Sequence, residues 1–508
     1  MPKIHIERKM QMNLFKRTCS FLLAALMLVP FAGCESSDTT TVTTTAPTTT
    51  EGINLEDSKV PGFDALTSEE VAAYAALAAQ NAERAHVLGS VIEEHYISGR
   101  GNNIQFAMYL NTNNLSTSNT ASVWHITSAL TMMSKLWAID AGGKGGSYAT
   151  LHGKTLTAME YYKGTAFITN YNNNVEQTMY AVNRAGSPGT ASLADIAAVY
   201  DDQMWIVREL VYCYQLTGEE SYLTQALDLT QVCLDAWDTT EYANGKEVGG
   251  IDWGPGYDSK HTCSNAPLIK PLVEIYEIFT EEGRENAQYY LDWAIKIYDW
   301  TKDQLLLSNG LYVDLVRPPQ GRKLEGSGKS KHWISSGPLG SRDNNTYSYN
   351  SGAMISGAAV LYRATGDEAY LKDAKTCAKK AHSAFTISTK IDGESRRQLT
   401  AFPGQIYRSN TWFNLILLEG FIDLFPYDTR CASYLETYQK SLDYAYENHK
   451  SKDNLLPRDL YKGWDKTATV SDTDSRRPDL DKDIMDQAAY AEMYAALSIL
   501  YSQIAARQ

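Results

Sequence analysis

The chain has 508 residues, with 60 acidic side chains against 46 Lys and Arg, and its formal net charge is −14 at pH 7. Lys and Arg form no dense stripe, so the composition argues against nucleic acid as a partner. The cysteines form neither CxxC pairs nor a compact disulfide framework, and no HExxH motif occurs. We therefore expect no metal site and no cofactor. Cys213, Cys233 and Cys377 lie in helical patterns and are expected to be small core residues.

The N-terminus has the pattern of a targeting segment. Basic residues, among them Lys16 and Arg17, precede an apolar run at 21–31 that is too short to cross a membrane, and Cys34 follows shortly after. This pattern resembles a bacterial lipoprotein signal, which predicts a signal peptide over residues 1–34 with Cys34 as the acylated residue. A conventional secretory signal is the alternative.

A Ser/Thr-rich segment over residues 35–60 has almost nothing to bury and is predicted to be a disordered linker. No later run approaches eighteen consecutive apolar residues, so no further membrane span is expected. These features predict an extracytoplasmic protein that is lipid-anchored at the cell membrane or surface. A globular body is predicted over residues 61–508.

The body reads as a succession of helices, with Ala-rich apolar stripes at a spacing of 3.6 residues. The pattern after residue 202 places Val207, Leu210, Val211 and Tyr214 on one face. Strand-like alternation is scarce, and its best example is residues 310–316, which are compatible with a small hairpin.

A weak internal repeat predicts the architecture. LTGEESYL at 216–223 recurs as ATGDEAYL at 364–371, an offset of 148 residues (364 − 216), and looser versions end at Leu291 and Leu435. These intervals fit a unit of two helices with their loops. Six such hairpins would fill the body and predict an all-α (α/α)6 toroid, with an open α-solenoid as the competing arrangement.

Two neighbouring carboxylates, Asp201 and Asp202, lie just ahead of one predicted helix. Glycosidases use one carboxylic acid to protonate the leaving oxygen and one carboxylate to attack or to activate water, and retaining enzymes hold the two about 5–5.5 Å apart. Adjacent residues reach that separation, although Asp is also a common helix-capping residue. Positions 148 residues later are Tyr349 and Asn350, so equivalent loops place two polar pairs on one face of a toroid.

The segment YDDQMWIVRELVYCYQLTGEESYL, residues 200–223, resembles the signature of glycoside hydrolase family 76, the endo-α-1,6-mannanases. Residues 249–253 resemble that family's Gly-Gly-Ile-aromatic-Trp loop, residues 264–266 its Asn-Ala stretch, and residues 346–352 its Thr-Tyr-Asn-Gln-Gly helix start. The resemblance covers about residues 105–500. Asp252 departs from the family where an aromatic residue is usual, and Ser351 departs where Gln is frequent.

The resemblance implies an (α/α)6 fold and retaining hydrolysis of α-1,6-linked mannose in the body of the protein. It assigns Asp201 as the nucleophile and Asp202 as the general acid/base. The chemistry requires Asp201 to be ionised and Asp202 to be protonated when the bond breaks, and the neighbouring charge of Asp201 raises the pKa of Asp202.

The matched loops also supply candidate substrate-binding residues. Trp253 is a sugar platform or, equally, a buried loop anchor. Asn265, Tyr349 and Asn350 are candidates to bond mannose hydroxyls, with helix capping as the alternative for Asn350. Asp252 is expected either to bond a hydroxyl near the cleaved linkage or to be exposed on its loop.

The expected partner is an α-mannan polysaccharide or oligosaccharide, bound by a monomer. Two classes of rival function remain at this stage. One is another (α/α)6 sugar-active enzyme, such as an exo-α-mannosidase, an uronyl hydrolase or a transglycosylase. The other is a non-catalytic glycan-binding lipoprotein, since Tyr and Trp are abundant, with 33 and 10 copies, and both suit sugar-binding surfaces.

Overall fold

The structure, a computed structural model, describes residues 66–111, 114–140, 146–171, 174–194, 197–242, 244–335, 337–391, 393–399, 411–461, 463–464 and 481–506. The predicted signal peptide with Cys34 and the predicted linker over residues 35–60 lie outside this part of the chain. Within these ranges, no helix is both long enough and apolar enough to span a membrane.

Twelve α-helices occur in the described ranges. They are α1 (Ser68–Val91), α2 (Val123–Ile139), α3 (Ser147–Met159), α4 (Tyr200–Thr217), α5 (Glu220–Asp235), α6 (Ile269–Glu282), α7 (Ala287–Leu305), α8 (Ser348–Thr365), α9 (Glu368–Ala384), α10 (Thr411–Leu424), α11 (Cys431–His449) and α12 (Ile484–Ala505).

The even-numbered helices form a closed inner ring, because each contacts the next and α12 returns to contact α2. Each odd-numbered helix packs outside against a ring helix, with α1 on α12. Ring helices are buried nearly all round, as α12 shows, whereas an outer helix such as α9 buries a single stripe. The predicted (α/α)6 toroid is therefore confirmed, and ring closure excludes the open solenoid. Cys213, Cys233 and Cys377 are buried, as expected.

The repeat is confirmed by the elements that carry it. Helices α4 and α8 each have 18 residues and end at Gly218 and Gly366, whose φ angles are 73° and 74°. Both glycines adopt the left-handed conformation that terminates a helix without a steric penalty. One detail of the prediction was wrong: Asp201 and Asp202 lie inside the first turn of α4, and the N-cap is Val199.

The described strands are short and pair antiparallel. They are β1 (Ile97–Ser98), β2 (Gln105–Asn111), β3 (Thr117–Thr120), β4 (Lys163–Thr169), β5 (Asn174–Tyr180), β6 (Lys260–His261), β7 (Leu315–Val316), β8 (Lys323–Glu325), β9 (His332–Ile334), β10 (Thr386–Ile391), β11 (Glu394–Leu399) and β12 (Asp481–Asp483). Three pairs of consecutive strands form simple hairpins: β4–β5, β8–β9 and β10–β11. The stretch 310–316 takes part in a small hairpin turn, since Tyr312 forms an antiparallel bridge with Leu306, and its last residues, β7, pair with β6.

The two ends of the toroid differ. Short connections join the ring helices α2, α4, α6, α8 and α10 to the outer helices that follow them at one end, here called the floor, while long connections with the hairpins lead back to the ring helices at the other end, the mouth. The first turns of ring helices meet at the mouth: Tyr349 of α8 stacks on Phe413 of α10 with centroids 3.9 Å apart, and Trp124 of α2 contacts Trp412 of α10 at 5.5 Å.

Helix α1 begins at the floor. Tyr74, near its start, contacts Tyr501, near the end of α12, with ring centroids 5.7 Å apart. Just beyond the end of α1, Tyr96 donates its hydroxyl proton to the carbonyl of Lys482, immediately before α12 starts at the mouth. The chain therefore enters the described body at the end opposite the mouth.

Helices α8 and α10 approach each other so closely that each needs a glycine at the point of contact. A Cβ on Gly352 would lie 2.4 Å from the carbonyl oxygen of Ile416, and one on Gly420 would lie 2.6 Å from the carbonyl oxygen of Gly352. We expect Gly352→Ala to push the helices apart and lower the free energy of unfolding by about 1–3 kcal/mol, measured by urea denaturation.

Gly153→Ala is the matched control, because Gly153 is also helical but a Cβ there meets nothing within 4 Å. Alanine has the higher helix propensity, so this substitution is expected to stabilise by about 0.5–1 kcal/mol. Equal stabilities for the two variants would contradict the close-contact interpretation.

Candidate active site

The paired carboxylates lie at the mouth in the first turn of α4. Asp201 is partly exposed, whereas Asp202 is buried with 7% of its surface exposed. The Asp202 backbone N–H donates to Asp201 Oδ1 at 3.1 Å. One carboxylate thus faces the opening while the other lies behind it, which gives two adjacent acids different environments.

The two environments give the two carboxyl groups different pKa values. Burial raises the pKa of Asp201 to about 6, against lowering contributions from the hydrogen-bonding groups of Trp253 and Cys263 and from the charge of His261. Burial and the charge of Asp201 raise the pKa of Asp202 well above its usual range. Asp202 therefore keeps its proton at a pH where Asp201 is ionised. One nucleophilic carboxylate beside one proton donor is the combination that glycosidic cleavage needs.

Trp253 is fixed against α4 by its backbone and remains partly exposed. The Tyr200 N–H donates to the Trp253 carbonyl at 2.7 Å, and the Trp253 N–H donates to the Ser259 carbonyl at 2.9 Å. Its ring lies nearly parallel to His261 at 4.9 Å and contacts Tyr257 at 4.5 Å. The two predicted roles, loop anchor and sugar platform, are thus compatible, since the ring packs against His261 and Tyr257 while the side chain keeps some exposure.

Gly249 and Gly250 precede this loop, and the structure explains why both positions are glycine. Both have φ angles above 70°, and a Cβ on either would lie within 3 Å of the Trp300 indole. Their function is to let the backbone pass under that ring.

The structure corrects the prediction that Asn265 bonds mannose hydroxyls. The side chain is fully buried. Its Oδ1 accepts the Ile251 N–H at 2.8 Å, and its Nδ2 donates to the carbonyls of Ile251 and His261 at 3.0 and 2.8 Å. Because donors and acceptor are all used within the loop, Asn265 holds the loop in shape.

Both predicted roles for Asp252 were wrong. The carboxylate is buried, with 5% of the residue exposed, and it accepts from Lys260 Nζ at 3.0 Å and from Arg322 Nη2 and the Tyr171 hydroxyl at 2.9 Å each. A carboxylate surrounded by three donors is neither exposed nor available to a sugar. It belongs to a buried ion cluster beneath the loop.

Tyr349 and Asn350 occupy the first turn of α8, which is separated from the aspartate-bearing helix α4 by one ring helix, α6. Tyr349 is buried against Phe413, and its hydroxyl interacts with the Cys263 thiol, which also faces Asp201. Asn350 does not cap its helix, whose N-cap is Tyr347. Its Oδ1 is buried without a hydrogen-bond partner among the described residues, an arrangement that suits a ligand donor.

Three residues near Asp201 were missed by the sequence argument. His261 Nε2 is 2.9 Å from Ser259 Oγ, and His261 Nδ1 is 3.5 Å from Asp314 Oδ2. Cys263 completes a group with His261 and Asp314 that is close enough to hold a metal ion. His261 and Cys263 lie between matched motifs, and Asp314 lies in the stretch 310–316, but no residue type there pointed to Asp201.

A second group of potential metal ligands, His152, Glu209 and Cys213, is buried in the core away from the mouth. His152 Nε2 lies 2.8 Å from Glu209 Oε1, and the Cys213 thiol donates to the same oxygen at 3.2 Å. Hydrogen bonds among its own members account for the proximity. The expectation that the protein needs no metal remains a prediction.

Aromatic side chains line the mouth between the ring helices. Phe413 stacks between Tyr349 and Trp124, whose centroids lie 3.9 and 5.8 Å away. Trp412 contacts Trp205 of α4 at 4.7 Å. Phe413 and Trp124 keep partial exposure, so aromatic side chains are accessible at the mouth.

The comparisons with known proteins agree with this geometry. The model of the family described as glycosyl hydrolase family 76 matches residues 119–476. The chain belongs to glycosyl hydrolase family 76. A mannan endo-1,6-alpha-mannosidase of Candida glabrata is 30% identical over 153 residues. That alignment covers 29% of this family 76 chain and 28% of the yeast protein, so it spans less than a third of the curated relative.

Solved structures share the fold over most of the body. A family 76 mannosidase from Bacteroides thetaiotaomicron is 25% identical, with a TM-score of 0.63 over 83% of this family 76 chain and 98% of that chain. An inactive α-1,6-mannanase variant from Salegentibacter sp. HEL1_6, in complex with α-1,6-mannotriose, has a TM-score of 0.56 at 20% identity, covering 83% and 99%. That variant carries asparagine in place of two consecutive aspartates.

Proposed function

We propose that this family 76 protein is a retaining endo-α-1,6-mannanase. The observation that carries the proposal is the adjacent pair Asp201 and Asp202, which lies at the open mouth of the ring in two different electrostatic environments. The names of the yeast relative and of the Salegentibacter enzyme support the substrate. The inactivity of the latter's asparagine variant supports the importance of an aspartate pair.

Asp201 acts as the nucleophile and Asp202 as the acid/base. The Asp201 carboxylate attacks the anomeric carbon while Asp202 gives its proton to the departing glycosidic oxygen, forming a covalent mannosyl-enzyme and breaking the C–O bond. Esterification neutralises Asp201, which removes the charge that kept Asp202 protonated. Asp202 then takes a proton from water, and the resulting hydroxide displaces Asp201 with net retention.

The groups around the pair suit a neutral sugar. The rings of Trp253 and Phe413 are partly exposed and offer apolar surface for contact with a pyranose ring. The unpartnered Asn350 Oδ1 offers an acceptor for a hydroxyl donor, and the buried Tyr349 sets the position of Phe413. These assignments extend the sequence prediction, with Asn265 and Asp252 removed from the substrate-binding set.

Activity is expected to fall in acid with a midpoint near pH 6. The pKa of Asp201 is raised to about 6 from an ordinary 3.8, so the nucleophile is protonated, and activity lost, as the pH falls through that value rather than near 4. The alkaline limb follows loss of the Asp202 proton. The pH profile of kcat/KM measures both limbs, and full activity at pH 4.5 would contradict the assignment.

The decisive test is the product pattern from linear α-1,6-mannan. We expect the full chain to release oligosaccharides of mixed length, with the α-anomer appearing first by proton NMR, and to leave β-1,4-mannan intact. Mannose as the sole product would favour the exo-α-mannosidase alternative. Transfer to added mannose would favour the transglycosylase. Binding to either polymer without any product would overturn the enzymatic proposal in favour of a glycan-binding lipoprotein.

The uronyl hydrolase alternative is disfavoured by charge. An enzyme for acidic sugars needs free cationic side chains to hold the substrate carboxylate. In the described part of the chain, the cations beside the Trp253 loop are Lys260 and Arg322, and both are already paired with Asp252.

We further propose that the protein is monomeric and works outside the cytoplasm, anchored through a lipid on Cys34. The pattern at residues 1–34 and the Ser/Thr-rich stretch 35–60 support this location. Palmitate labelling of the full chain is expected to require Cys34. Release of an unlabelled, soluble protein by wild type would favour a conventional secretory signal.

A further inference from the structure

Three long connections at the mouth meet at a single buried point. The α3–α4 connection contributes Tyr171, the α5–α6 connection contributes Asp252, and the α7–α8 connection contributes Arg322 and Trp333. Arg322 Nη2 and the Tyr171 hydroxyl both donate to Asp252 Oδ2 at 2.9 Å. The Arg322 guanidinium lies 4.2 Å from the Trp333 ring centroid and 5.2 Å from that of Tyr171.

Charge balance shows why arginine is needed at this point. Buried Lys260 contacts Asp238 at 3.1 Å and Asp252 at 3.0 Å, so one ammonium group faces two carboxylates. Arg322, whose side chain is 8% exposed, supplies the second positive charge and makes the cluster neutral. Its Nε and Nη1 have no hydrogen-bond partner among the described residues, so stacking on aromatic faces helps to hold it.

The cluster is connected to the active site through the main chain. Asp252 pairs with Lys260 across a β-bridge, and Trp253 follows Asp252 directly. The Trp253 carbonyl then accepts the N–H of Tyr200, next to Asp201. A shift of Asp252 is therefore transmitted to Trp253 and to the first turn of α4.

The α7–α8 connection, which contains the hairpin β8–β9, also contacts the hairpin β4–β5 at the mouth. Asn174 Nδ2 of β5 donates to the Gly328 carbonyl, beyond β8, at 2.6 Å, and Lys329 Nζ lies 5.9 Å from the Phe167 ring of β4. Both contacts are exposed, and exposed contacts contribute little. The buried contact at Arg322 is thus the strong one between these connections.

We propose that Arg322 is a positioning residue that latches the three connections through Asp252 and thereby holds Trp253 beside Asp201. The latch is defined as Tyr171, Asp252, Arg322 and Trp333. Its effect on catalysis rests on the function proposed above, whereas its effect on the connections does not.

Amide hydrogen exchange of the full chain tests the latch independently of activity. We expect Arg322→Met to accelerate exchange about tenfold or more in segments 163–171 and 249–261, because local opening becomes easier, with exchange in α12 unchanged. Arg342→Met is the matched control. Arg342 lies in the same connection but is exposed, and among the described residues its side chain donates to the carbonyls of Leu306 and Asp303.

Two further variants separate charge from shape. Arg322→Lys restores the charge without the planar stacking and is expected to restore slow exchange only partly. Arg322→Met with Asp252→Asn restores neutrality and is expected to exchange more slowly than Arg322→Met alone. If Arg322→Met does not fold, amide exchange in Arg322→Lys serves as the test of the latch. Wild-type exchange in segments 163–171 and 249–261 for the folded variants would overturn the latch.

Kinetics then report whether the latch acts on catalysis. In Arg322→Met, Trp253 is expected to move away from Asp201. Its side chain then no longer helps to lower the pKa of Asp201, so the acid limb of the kcat/KM profile should move to higher pH. If amide exchange is accelerated but the acid limb of the kcat/KM profile does not move, the latch stabilises the connections without acting on catalysis. A wild type without mannanase activity would refute the proposed function and leave the exchange result standing.

Discussion

Asp202→Asn is expected to reduce mannan cleavage by a factor on the order of 10⁴, the upper range for loss of a general acid/base, and Asp201→Asn, which removes the nucleophile, is expected to reduce it at least as much. Both variants should remain folded. Each aspartate has a raised pKa in the folded protein, so its ionisation opposes folding once the pH exceeds the unfolded value. Asparagine removes that penalty, and the melting temperature should equal or exceed that of wild type.

Azide distinguishes the two roles. With an activated aryl α-mannoside, Asp202→Ala still forms the mannosyl-enzyme, and azide then yields the α-mannosyl azide. With Asp201→Ala, azide attacks directly and yields the β-anomer. The reverse pattern would exchange the assignments. Asp228→Asn, on the exposed face of α5, is the control and should retain wild-type activity.

Lys260→Met is expected to lower the free energy of unfolding by about 3–5 kcal/mol, the range for removing one partner of a buried ion pair. Lys260 is fully buried between Asp238 and Asp252. Without its ammonium group, two buried carboxylates share only Arg322. Urea denaturation measures the change.

Lys372→Met serves as the comparison, because Lys372 is exposed on α9 and forms no ion pair within the described residues. Its unfolding midpoint should lie close to that of wild type. An unaltered midpoint for Lys260→Met would show that the buried cluster contributes little to stability, contrary to the expectation.

The parts of the structure that repeat were predictable from sequence. The recurrence of Thr-Gly-acid turns 148 residues apart identified α4 and α8 as equivalent, and equivalence placed Asp201 and Tyr349 at one end of the ring. Helical periodicity and turn chemistry are local signals, so one sequence suffices to detect them. The carboxylate pair was detectable for the same reason.

The fine structure of the site was not predictable because its partners are distant in sequence. Asp252 and Arg322 are 70 residues apart, and no local pattern shows that one neutralises the other. Asn265 has the residue type of a sugar ligand, and only its three loop contacts reveal a structural role. The hairpin β10–β11 was also missed, although Thr386–Ile391 is rich in β-branched residues, which favour strands.

The entry of the chain at the floor has a consequence for how a long polymer reaches the enzyme. Residues before 66 join the body beside the start of α1, on the far side from Asp201. A support attached through that segment, as proposed above, would be joined to the end opposite the opening, so the attachment itself would not obstruct a glycan that approaches or leaves. Severed strands therefore need not pass between the enzyme and its support.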